Sequence, residues 1–262
     1  MKRAVATILL TAMTVMTLAG CGGNAGKADS DVSYIKNKGT LVVGITDFAP
    51  MDYQEGGEWI GFDADIARKV AADLGVEVQF VEIDWDNKIL ELNNKSIDCV
   101  WNGMTLTDEV KNSMSCSKPY CNNAQTVVIA ADKAGEYKDA ESLKGLSFAV
   151  EAGSAGEAAA EENGFTYTSL LSQADTLMEV QAGTSDASII DLLMAGAMIG
   201  EGTSYPTLTH ILDLTTEEYG VGCRKDSDLA AFIDESFSKY AGDGSLMETA
   251  KKYGVQDSVI IK

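Results

Sequence analysis

Histidine is almost absent from these 262 residues: His210 is the only one, in Thr-Leu-Thr-His-Ile-Leu, which reads as a strand. No HxxxH, CxxC or G-x-S-x-G spacing occurs. Those absences leave no zinc-type ligand set and no visible nucleophile–base pair, so no metal, no cofactor and no catalytic residue is expected, and the chain does not read as an enzyme. Basic residues are scarce, 20 against 40 acidic, for a net charge of −20. Such a surface repels phosphate backbones and excludes nucleic acid as a partner, while keeping an exported chain soluble. Prolines number three, and no repeat or low-complexity tract follows residue 33. The uncharged run Ala4–Leu18 is shorter than the roughly 20 residues that a membrane-spanning helix needs.

What is present begins with Lys2 and Arg3 ahead of that apolar run, the layout of a signal peptide. Leu18-Ala19-Gly20-Cys21 places small residues before a cysteine, the pattern that a bacterial lipoprotein signal peptidase reads. Residues 1–20 are therefore expected to be a lipoprotein signal peptide, and Cys21 the point of lipid attachment. The acyl chains would hold the exported chain on the outer face of the cell membrane. Residues 21–33 are small and polar and read as a flexible tether. Four further cysteines remain, Cys99, Cys116, Cys121 and Cys223. Four cysteines allow three pairings; Cys116 and Cys121 are close enough in sequence to pair in an oxidising compartment.

Beyond the tether, strands and helices alternate. Leu41–Ile45 is a buried-strand pattern. In 62–74, Ile66, Val70 and Leu74 share one helical face and Gly75 supplies the stop. Val76, Val78 and Phe80 alternate as a strand; Asp84 can cap a helix; 97–101 is a strand; Thr107 can cap another helix. The pattern restarts with strands at 126–131, 146–150 and 187–190, helices after Gly153 and over 172–182, and a helix opened by Asp191. Met194 and Met198 there read as core filler. Residues 219–223 form a strand, and 228–252 reads as one helix. Such alternation argues for an α/β fold with mostly parallel sheets flanked by helices, in two halves of about 100 residues each.

Several segments then carry a resemblance: Gly39–Gly44 through Phe48-Ala49-Pro50-Met51, Gly61–Ile66, Asp98 through Glu109 to Ser117-Lys118-Pro119-Tyr120, Leu143–Ser154, Asp186–Asp191 and Tyr219–Ser227. In this order they resemble family 3 of the bacterial extracellular solute-binding proteins, the amino-acid receptors of ABC importers. The resemblance implies a two-lobe, periplasmic-binding-protein-like (type II) fold with two crossing hinge strands, near Asn122–Thr126 and Thr216–Val221. Lobe one would be 34–123 plus 220–262, and lobe two 124–219. It further implies a monomer that closes its lobes over an amino acid or related amine and passes it to a transporter permease. A dehydratase-like enzyme on the same fold, or a sensor acting in trans, is the alternative.

Carried over by position, the resemblance gives Phe48 and Trp85 as walls that sandwich the ligand, Gly103 as a carbonyl acceptor for its ammonium, and Thr105 as a donor to its carboxylate, with Met104 between them. Gly153, Ser154 and Ala155 open a helix whose amides can receive an anion. Asp191 would pair with the ligand ammonium; a plain helix N-cap is the bland reading of the same residue. One position departs from the family. Where its amino-acid binders carry the arginine that grips the α-carboxylate, this chain has Val110, and Lys111 points about 100° away round the helix. Glu151 also stands where some relatives carry lysine. The acidic residues Asp47, Glu151 and Asp191 suit a basic amino acid or an amine.

Overall fold

The computed structural model describes residues 30–261. The expected signal peptide, Cys21 and most of the tether lie outside the described residues. Residues 31–33, expected in the tether, belong instead to a helix. Helix α1 (Asp31–Lys38) starts at once, capped by Ser30, whose hydroxyl accepts from Ser33 N and donates to Asp228. Asp31 is buried in an ion pair with Arg224, 193 residues away. Local composition carries no trace of so distant a partner.

Two sheets dominate the fold. The first runs β4 (Glu77–Glu82), β1 (Thr40–Ile45), β5 (Cys99–Thr105), β13 (Glu217–Cys223), β6 (Ser115–Cys116), with β7 (Cys121–Asn123) also pairing β13. The second runs β10 (Thr166–Leu170), β9 (Ser147–Glu151), β11 (Ala187–Asp191), β8 (Gln125–Ala130), β12 (Leu208–Asp213). In each, three parallel strands are joined by antiparallel ones. The antiparallel strand beside the parallel set (β13 in one sheet, β8 in the other) is where the chain arrives from the opposite half. A small hairpin, β2 (Tyr53–Glu55) with β3 (Glu58–Ile60), projects from the first half.

Helices α2 (Phe62–Leu74), α3 (Lys88–Asn93), α4 (Asp108–Ser113), α8 (Leu229–Gly242) and α9 (Ser245–Lys252) accompany the first sheet; α5 (Ala155–Asn163), α6 (Gln173–Ala182) and α7 (Leu192–Met198) accompany the second. Helix α2 buries Ile66, Val70 and Leu74, each burial stabilising by roughly 1.5–3 kcal/mol. Gly75 ends it in the left-handed region.

Two expectations need correction, and the cysteines, whose pairing the sequence left open, take a definite state. The single helix read over 228–252 is two, because Gly244 takes φ +82 between α8 and α9. The return to the first half comes before residue 220, since Glu217, Glu218 and Tyr219 already pair with Asn123, Asn122 and Cys121. Cys116 and Cys121 are not bridged, and Cys99 and Cys223 are likewise free thiols. Cys116 faces Gly222 and Cys121 faces Tyr219 on β13. Three residues of strand separate them by about 10 Å, beyond the roughly 7 Å that a disulfide tolerates.

Candidate functional site

In open α/β sheets, ligand crevices form outside the carboxyl ends of the parallel strands. Both sheets point those ends at one another. Thr46 follows β1, Thr105 ends β5, Glu151 ends β9 and Asp191 ends β11. Between them lies a cavity of about 340 Å³, within the range of small-molecule sites. Phe48, Trp85, Gly103, Met104, Thr105, Val110, Gly153, Ser154, Ala155 and Asp191 all line it.

Asp47 does not. It is exposed, and Thr46 takes the inward place. Side chains alternate at a strand end, so a slip of one residue reverses the direction. Thr46 is fixed by Asn102, whose Oδ1 accepts from Thr46 N (2.9 Å) and Oγ1 (2.7 Å) while its Nδ2 donates to Thr46 O (3.0 Å).

Asp191 sits at the N-cap position of α7, yet its carboxylate makes no capping bond. It accepts instead from Asn123 Nδ2 (2.5 Å), Tyr219 Oη (2.6 Å) and Gln173 Nε2 (2.6 Å). Geometry thus removes the capping reading. Burial, aided by the charge of Glu217, raises the Asp191 carboxyl to about 7. Glu217 is a hinge residue that sequence reasoning missed. Its Oε1 accepts from Thr105 Oγ1 (2.8 Å), Asn123 Nδ2 (2.7 Å) and Gln125 Nε2 (2.8 Å). The network ties both crossing segments to Asp191, and it occupies the hydroxyl proton of Thr105 in this conformation.

Gly103 adopts φ +54, and a Cβ there would lie 2.4 Å from the Phe48 ring. Only glycine lets that ring close the wall; Asp63 Oδ2 accepts from Gly103 N (2.7 Å). Phe48 in turn packs edge-on to Tyr219. Val110 is buried beside Trp85, Leu92, Met104, Leu106 and Met114, so its stretch of wall is apolar. Lys111 is exposed and lies outside the lining, as the helical spacing requires.

Among the described residues, the lining's only basic one is Lys88, also missed from sequence. Its ammonium lies 5.0 Å from the Trp85 ring centroid and donates to Trp85 O (3.2 Å) and, across the cleft, to Gly153 O (2.8 Å). Burial lowers its pKa. Gly153, at φ +68, abuts Asp86: a Cβ would come within 2.8 Å of Asp86 Cα. The two halves therefore touch at this lip, and the conformation is a closed one. The signal for Lys88 was its place three residues after Trp85, one turn along the same face. Ser154 caps α5 by accepting from Glu157 N (3.1 Å).

A family model described as bacterial extracellular solute-binding proteins, family 3, matches residues 41–256. The arginine-binding extracellular protein ArtP of Bacillus subtilis is 27% identical over 94% of this chain and 96% of its own length. Among solved structures, a mutant of ArgBP from T. maritima is 31% identical with TM-score 0.79, covering 85% of this chain and 98% of that one. The ancestral amino-acid-binding protein AncCDT-1, a precursor of cyclohexadienyl dehydratase, is 30% identical with TM-score 0.79, covering 86% and 99%.

Proposed function

The chain belongs to family 3 of the bacterial extracellular solute-binding proteins, and from that membership we propose that it captures an amino acid or a related amine between two closing lobes and delivers it unaltered to an ABC importer. The observation that carries this reading is the cavity itself, closed at its lip, with a buried carboxylate at its base that three donors hold in place and that keeps an acceptor site on Oδ2. Asp191 holds the ligand ammonium; a charge-assisted bond to a preorganised acceptor orients the ligand strongly. Phe48 and Trp85 flank its stem. The carboxylate, where there is one, is met by Ser154, by the amides that open α5 and by Thr105 once Glu217 releases it, because Val110 has no donor. The protein acts as a monomer, and the lipid on Cys21 keeps it beside its permease; the support for that anchor is the sequence pattern at residues 18–21.

A thermal-shift screen across the amino acids and simple amines, followed by calorimetry, tests the reading. At least one of them is expected to raise the melting temperature, and Asp191→Asn to weaken its binding by about tenfold or more, the value of a lost charged hydrogen bond. No shift from any compound would remove the reading.

A second reading, a dehydratase-type enzyme, draws on one observation: two buried carboxyls in the cleft, Glu151 and Asp191, have pKa values near neutrality, as a general acid requires. Incubating the protein with its tightest ligand and recovering that ligand by mass spectrometry separates the two. Unaltered recovery supports transport, and conversion supports catalysis.

A further inference from the structure

Glu151 has no task in the grip just described. It ends β9, one strand away from Asp191, and lines the cavity at 3% exposure. Its Oε1 is buried without a hydrogen-bond partner among the described residues, whereas Asp191 collects three donors. An unpaired buried carboxyl oxygen is a standing cost, and native structures seldom keep one without a use. The charged groups around it are Asp191 from β11, Lys88 from α3 and Asp84 from the turn before α3. Lys88 makes no hydrogen bond to it; two of its ammonium hydrogens are spent on Trp85 O and Gly153 O. Asp108, Glu109 and Glu162 also line the cavity.

We propose that Glu151 receives a cationic group of the ligand, distinct from the ammonium held by Asp191, and thereby selects solutes with two cationic groups over those with one. This rests on the reading of the chain as an amino-acid or amine receptor and names the class of solute that the receptor takes. Two buried acceptors at the ends of neighbouring strands match two cations on one small molecule. The wall at Val110, apolar where a carboxylate grip is missing, does not penalise a ligand that lacks a carboxylate.

A proton accompanies the event. Burial in the closed cleft, with the charge of Asp191, raises the Glu151 carboxyl to about 8, so at pH 7 a closed site without a cation retains its proton. An arriving cation favours the carboxylate form, and the proton passes to the buffer.

Calorimetry on the full exported chain and on Glu151→Gln, in two buffers of different ionisation enthalpy at pH 7, tests this with L-lysine, L-arginine, agmatine and L-glutamine. The wild type is expected to bind at least one of the first three more tightly than L-glutamine and to release a proton on doing so. Glu151→Gln should weaken that dicationic probe by about tenfold or more and lower the proton release to the part that Asp191 supplies, with a smaller effect on L-glutamine. Preference of the wild type for L-glutamine would overturn the proposal and leave the receptor reading standing. So would a Glu151→Gln variant that keeps the full proton release or loses all probes equally. Absence of binding by every probe, and by the wider screen above, would remove the receptor reading and this proposal together.

Discussion

Three buried carboxyls, Asp63, Glu151 and Asp191, are raised by burial to about 7, 8 and 7. In this closed conformation the folded protein therefore keeps protons that the unfolded chain has released above about pH 4, and Asp63, buried in the core of one lobe, keeps its proton whether the cleft is open or closed. Their contribution to stability is fully present below the ordinary carboxylate range and is lost as pH rises through 7 to 8. Thermal melts of the ligand-free protein should give a lower melting temperature at pH 8 than at pH 5. Glu151→Gln, which replaces an acid whose Oε1 lacks a partner by a neutral isostere, should melt at or above the wild type at pH 8 and show a flatter pH profile. A lower melting temperature for this variant at pH 8 would count against the buried, unpaired carboxyl. At this scale the resemblance gave Asp191 as the partner of the ligand ammonium while a helix cap stayed open as the other reading, because a cap and a ligand anchor occupy the same chain position. Sequence reading misplaced Asp47 by one residue. Lys88 and Glu217 went unseen, since their partners, Gly153 for one and Thr105 and Gln125 for the other, are brought close only by the fold.

Elements set the closing contact. The turn from β9 into α5 presses Gly153 against Asp86, in the turn before α3. Gly153→Ala introduces a methyl group 2.8 Å from backbone and strains a left-handed φ, and both effects act where the halves meet. Ligand affinity measured by calorimetry should fall by about tenfold or more, the factor that ~1.4 kcal/mol gives. An unchanged affinity would mean that closure does not use this contact. Helix α4 carries Val110 and is capped by Thr107, whose Oγ1 accepts from Val110 N (3.2 Å). Thr107→Ala should cost about 1 kcal/mol of stability in urea unfolding, and a cost near zero would show the cap to be idle. Elements such as α2 and β1 were legible from their apolar spacing, and β5 only in part: the strand read over 97–101 runs Cys99–Thr105, because Asn102 and Gly103 break the apolar run. Strand β10, with an exposed, polar Thr-Tyr-Thr-Ser-Leu pattern, and the short hairpin β2–β3 were not, because pairing with neighbours, not periodicity, makes them strands.

Across the whole molecule, two lobes of like topology are joined by two crossing segments, and the polar network of Glu217, Asn123, Gln125 and Tyr219 spans them. The alternation of strands and helices conveyed this architecture because each lobe repeats it. The cleft was less legible, since its surface is assembled from strand ends more than 140 residues apart, from Thr46 to Asp191. A hinge that closes over a solute must exist in a more open form without it, and binding shifts the population toward the closed one. Small-angle X-ray scattering of the exported chain, alone and saturated with the compound that gives the largest thermal shift, tests this most directly. The ligand-bound protein should have the smaller radius of gyration and a curve that fits the closed structure, while the free protein fits a wider one. Identical curves, both fitting the closed structure, would contradict capture by lobe closure.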